Sequence, residues 1–153
     1  MGEKLNFALN LSQSLMKDIA DLLGRICIAM IFVYEALDTL LFFENTKRTM
    51  ADYGLTWRPD LVLTVLVSFL IIGAIMVLIG YYANVGAILL LAYWLPFTLI
   101  VYSFWNDPQP VQRLNALYFM RNLAVCGGLL LLISNGAGKY SVKRLIHVMR
   151  LPK

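Results

Sequence analysis

Apolar residues fill four long blocks of this chain, Leu22 to Phe43, Leu61 to Tyr82, Ala83 to Trp105 and Asn115 to Ser134, with polar stretches at 44–60 and 106–114 and the middle two blocks adjoining. Each block is close to the roughly 20 residues a helix needs to cross about 30 Å of hydrocarbon. Backbone groups in lipid must be satisfied within the protein, which leaves helices or a closed barrel. No block alternates with period two, and ten-residue strands between turns are not visible, so helices are predicted. The pattern predicts an all-α polytopic membrane protein, an antiparallel four-transmembrane-helix bundle with interfacial helices at both termini.

Three parts follow from the pattern. Residues 1–20 form an N-terminal interfacial segment, in which Leu5, Leu11, Leu15 and Ile19 recur near helical spacing. Residues 21–136 form the four-helix membrane domain. Residues 137–153 form a basic tail, where Ser141 precedes Val142, Leu145, Ile146 and Met149 on one face and Lys143, Arg144, His147 and Arg150 on the other. Residues 44–60 read as the one long loop, able to fold back over the bundle mouth, with "TWRPD" as a turn and Pro59 opening the second helix. "GYYANVGA" admits only a tight turn, which makes the second and third helices antiparallel neighbours. Trp57 and Trp105 suit an interfacial aromatic belt, and Arg25, about one turn inside the first block, is expected to snorkel to the headgroups.

Composition supports the membrane reading. The chain is 60% hydrophobic and 14% charged, whereas soluble domains are roughly a quarter charged. Met1 to Ala20 is too polar for a cleaved signal peptide, so the first helix is expected to be a permanent anchor. Seven lysines and arginines fall on the side of the termini and four on the other. That excess places both termini in the cytoplasm of a bacterial inner membrane. The net charge of +4 is concentrated in the tail, which suits anionic headgroups rather than nucleic acid.

Candidate chemistry narrows to a few groups. The only histidine is His147, in the tail, which argues against membrane haem and against His/Cys metal sites. Cys27 and Cys126 lie in separate blocks and form no CxxC pair. The ionisable groups within the blocks are Arg25, Glu35, Asp38 and Arg121. At helical rise Asp38 lies about 7 Å, Glu35 about 12 Å and Arg121 roughly 9 Å below the outer face, on one level. Glu35 and Asp38 stand at i,i+3, where an arginine from another helix can fork between them, with Asn122 and Tyr34 as further hydrogen-bonding groups. The cluster reads either as a structural clamp or as a polar pocket for a ligand such as a quinone headgroup.

The order of these features resembles the DoxX family of small four-span membrane proteins. The resemblance rests on "GRICIAMIFVYEAL" with its early arginine, the glycine-punctuated "LIIGAIMVLIG", the "FWN" before the last helix, and "MRNLAVCGGLLLLISNGAGKYS". It covers roughly residues 20 to 145. The chain departs from the family pattern at Glu35–Asp38, where Gly-x-x-Lys is frequent, and at Lys143, where an acidic residue is usual. The resemblance implies a four-helix bundle that serves as a subunit or partner of a membrane redox complex, of the thiosulfate:quinone oxidoreductase kind. It also implies a distant relation to the eukaryotic surfeit-locus cargo receptors. No self-contained catalytic site is readable, and no cofactor is held by the chain's own ligands. The other readings are a small proton-coupled transporter and a non-catalytic membrane scaffold.

Overall fold

A computed structural model describes residues 2–142 together with 144 and 146, the side chains of 2–5, 8 and 106 excepted. The described residues form five α-helices: α1 (Gly2–Leu41), α2 (Phe43–Asp52), α3 (Pro59–Ile79), α4 (Ala83–Val101) and α5 (Gln109–Asn135). A single 3-10 turn, Phe104–Asn106, joins α4 to α5. The basic helix expected beyond Ser141 falls mostly outside the described residues. At its start the Arg144 N–H lies 3.4 Å from the Ser141 hydroxyl, a weak capping contact.

Three helices, α3, α4 and α5, are each long and apolar enough to cross a membrane. The chain is an all-helical, polytopic membrane protein. The first apolar block behaves differently. It lies within α1, which carries Arg25, Glu35 and Asp38, and the helix then turns by 92° into α2. Taken as one broken span, α1 and α2 make a fourth. The interfacial segment expected at residues 5–20 is not a separate element, because α1 runs unbroken from Gly2.

Residues 43–52 form a helix rather than a loop, and the reason is local. Phe43, Thr46, Lys47 and Met50 recur at i, i+3, i+4 and i+7, and each is half-buried on the face turned toward the bundle. Lys47 Nζ donates to Glu44 Oε1 at 3.0 Å and to Asp60 Oδ1 at 2.8 Å, which ties α2 to the start of α3. The Tyr53 hydroxyl donates to the Val101 carbonyl at 3.2 Å, which ties the same segment to the end of α4. The α2 segment is thus tied to the start of α3 and the end of α4 on one side of the bundle.

Small residues set the packing. Apolar helices gain little from association in lipid, so close backbone approach replaces the hydrophobic drive. A side chain at Gly86 would come 2.9 Å from the Gly73 carbonyl, so these two glycines bring α3 and α4 together. Ala29 and Ala36 of α1, Ala74 of α3 and Ala87 of α4 are all buried. Larger groups fill the spaces left. Phe32 meets Trp94 edge-on, with ring centroids 5.1 Å apart, and Cys126 and Leu129 complete the core from α5. Neighbouring pairs α1–α3, α3–α4 and α4–α5 pack extensively, whereas α1 and α5 meet far less.

Candidate functional site

Two polar assemblies interrupt this apolar interior. The first lies at the end of the bundle where α3 stops at Gly80 and α5 gives way to the glycine-rich exit. Arg25 shares the core face of α1 with Ala29, Phe32 and Ala36, at i, i+4, i+7 and i+11, so its side chain enters the bundle. The expected snorkelling to headgroups does not occur: Arg25 is only 1% exposed, and its Nη2 donates to the Tyr140 carbonyl. The guanidinium rests against Gly80, where an added Cβ would collide with Nη1 and with Ser141. Gly80 is the C-cap of α3, so the cation sits at the negative end of that helix's dipole. Asp21, one turn earlier, adds a Coulomb attraction. The same glycine-rich exit is held twice more, by the Lys139–Asp18 ion pair at 2.9 Å and by Gly138 packed against Asp21.

The second assembly is a cleft of about 360 Å³ lined by residues of α1, α4 and α5. Met30, Ile31, Tyr34 and Glu35 line it from α1, Trp94 from α4, and Arg121, Asn122 and Val125 from α5. It occupies the place where α1 and α5 fail to close on each other. Its rim is open, with Met30 and Tyr34 each more than 60% exposed. Its floor is buried, Asn122 at 1% and Trp94 at 4%. At that floor Trp94 Nε1 and both polar atoms of the Asn122 amide have no hydrogen-bond partner. Buried polar groups are nearly always paired, because an unpaired one forfeits its hydration without return. Three such atoms, an indole N–H, an amide N–H and an amide carbonyl, lie at the base of one opening.

The structure divides the residues singled out in the sequence. Glu35, Tyr34, Arg121 and Asn122 line the cleft together, while Asp38 is exposed and does not. Three residues turn a helix by about 300°, so Asp38 faces roughly 60° away from Glu35. No ion pair joins Arg121 to either carboxylate; the pairs formed among the described residues are Lys47–Glu44, Lys47–Asp60 and Lys139–Asp18. Arg121 instead lies over the Tyr118 ring, 4.9 Å from its centroid. Trp57 and Trp105 are both exposed, in the α2–α3 connection and the 3-10 turn. Among the described residues no group of three His, Cys, Asp or Glu could hold a metal ion.

Sequence reasoning passed over Trp94. The signal was its depth: seven residues before the end of α4 place it about 10 Å inside, whereas tryptophans favour the membrane interface.

Comparison with known proteins fits this architecture. The DoxX family model matches residues 20–103, more than half of the chain. The chain belongs to the DoxX family. Its similarity to curated proteins extends further along the sequence. The chain is 27% identical to inner membrane protein YphA of Escherichia coli, over 80% of its own length and 87% of the relative's. It is 26% identical to inner membrane protein YqjF of the same organism, over 86% and 95%. A surfeit locus protein 4 homolog of Schizosaccharomyces pombe is 34% identical, over 58% of this DoxX chain but only 29% of that protein. No solved structure matches. Within the DoxX match lie Arg25, Gly80, Glu35 and Trp94, so both polar assemblies draw on it, while Arg121, Asn122 and Tyr140 lie beyond.

Proposed function

We propose that this DoxX protein is an accessory subunit or partner of a quinone-linked redox complex in a bacterial inner membrane. It crosses the bilayer four times with both termini in the cytoplasm, the first crossing being α1 from Leu22 onward. The inner-membrane relatives support the location, and the lysine and arginine excess beside the termini supports the orientation.

The observation that carries the reading is the unpaired polar floor of the cleft. A quinone dissolves in hydrocarbon and presents carbonyl oxygens that accept hydrogen bonds. Trp94 Nε1 and the Asn122 amide N–H are donors without partners, and Arg121 supplies a third donor at the wall. The Asn122 carbonyl and Glu35 can accept from a hydroxyl at the same level. The donor set therefore fits both oxidised and reduced headgroups, and the exposed rim lets one arrive from lipid. Any redox chemistry would be supplied by the bound headgroup and by partner subunits; this chain binds, orients and shields.

Purification in native lipid, followed by mass spectrometry of co-purifying proteins and lipids, tests the proposal. Recovery of a redox subunit together with near-stoichiometric quinone supports it. Proton-dependent substrate flux in vesicles holding only this chain would favour the transporter reading instead, and a partner set without redox subunits would favour a scaffold.

A further inference from the structure

Two groups beside Arg121 attract a cation, the Tyr118 ring and the Glu35 carboxylate across the cleft, and it uses only the weaker. Its guanidinium lies over the Tyr118 ring, 4.9 Å from the centroid, while Glu35 lines the same cleft unpaired with it. A carboxylate attracts a cation strongly where the dielectric is low, and a ring face offers a milder hold. Arginine has a long, flexible stem, and the Arg121 charge already acts on Glu35 across the cleft. Packing does not oppose the movement, because Arg121 is exposed and α1 and α5 scarcely touch here.

We infer that Arg121 is a gate with two positions. Over Tyr118 it leaves the mouth above the buried Trp94 and Asn122 open; swung to the Glu35 carboxylate it bridges α1 and α5 and closes that mouth. The inference rests on the cleft being a binding site. It assigns Tyr118 as the positioning residue that holds the gate open, and Glu35 as the group that competes with ligand for Arg121. The clamp legible in the sequence and the open cleft in the structure are then two states of one site.

Trp94 reports the state of the gate directly. In protein carrying Trp57→Phe and Trp105→Phe, its fluorescence is quenched by a doxyl-labelled phospholipid to the extent that the floor is open. With two positions of similar population, Glu35→Gln should raise that quenching about twofold, since removing one state hands its population to the other. Tyr118→Leu should lower it, and Tyr118→Phe, which keeps the ring face, should restore it. Unchanged or reduced quenching in Glu35→Gln overturns the gate, even if Tyr118→Leu proves unable to fold. Titration with a short-chain benzoquinone separates the two readings. If wild type ignores the quinone while the doxyl shifts persist, the proposed ligand fails and the gate stands. If the quinone binds and the shifts are absent, the gate fails alone.

Discussion

Arg25, on the first helix, donates a hydrogen bond to the carbonyl of Tyr140, 115 residues later and beyond the last helix. Three features that looked independent in the sequence meet at this contact: the early arginine of α1, the glycine that ends α3, and the glycine-rich exit with its serine. The arginine closes this end of the bundle by occupying the space that Gly80 leaves vacant.

Removing that arginine should be costly. Arg25→Ala deletes a charge-assisted hydrogen bond, strands the Tyr140 carbonyl and opens a cavity, together about 3 kcal/mol. Gly80→Ala should cost a similar amount, because its Cβ meets Nη1 at a positive φ of 75°. The double variant should be markedly less destabilised than the sum of the two, since both disrupt one contact. Thermal unfolding in mild detergent measures all three; additive losses would show that the two residues act separately.

Asp18→Asn offers a contrast at the same end of the molecule. The Lys139 side chain is 46% exposed in its pair with Asp18, so solvent screens the attraction. The loss should stay below about 1 kcal/mol. The same unfolding assay should therefore rank Arg25→Ala far above Asp18→Asn.

Where α2 meets α3, stability should depend on alkaline pH. Hydrogen bonds to Asp60 and then Glu44 raise the Lys47 amine above its ordinary value. A pKa raised on folding contributes fully below the unfolded amine value and is lost as pH climbs through the folded one. The tie between α2 and α3 should loosen in that alkaline window, and Lys47→Met should remove the dependence. Cysteine labelling at Thr46, half-buried on the inward face of α2, reads the release directly.

Asn122 should trade stability against binding. An unpaired buried amide costs about 1 to 3 kcal/mol. Asn122→Leu, of similar size and with nothing to satisfy, should raise the unfolding temperature of the protein. The same substitution should weaken binding of a short-chain benzoquinone. A variant that is both less stable and unimpaired in binding would deny the residue its role at the floor.

Much of the fold was legible because lipid imposes a simple rule. The blocks that read as Leu61–Tyr82, Ala83–Trp105 and Asn115–Ser134 became α3, α4 and α5, with ends displaced by a few residues. Glu35 and Arg121, expected on one level, line the walls of one cleft. Rotation was harder. The stripe Arg25, Ala29, Phe32, Ala36 marks the buried face of α1, yet a charge near a helix end was read as snorkelling. Asp38 was grouped with Glu35 by spacing, although 60° of helical turn separates their directions. The helix at residues 43–52 was hidden by its polarity, since only four of its positions face the bundle. Trp94 gives a weak signal in the sequence because its polar atom is a single uncharged N–H.

The most direct test of the cleft is titration of Trp94 fluorescence with a short-chain benzoquinone, in proteoliposomes of the Trp57→Phe, Trp105→Phe protein. A binding floor made by Trp94 and Asn122 yields saturable quenching at low quinone, reduced about tenfold in affinity by Asn122→Leu, the effect of roughly 1.4 kcal/mol that one lost buried hydrogen bond carries. Quenching that rises linearly without saturating, and is identical in Asn122→Leu, would contradict the account.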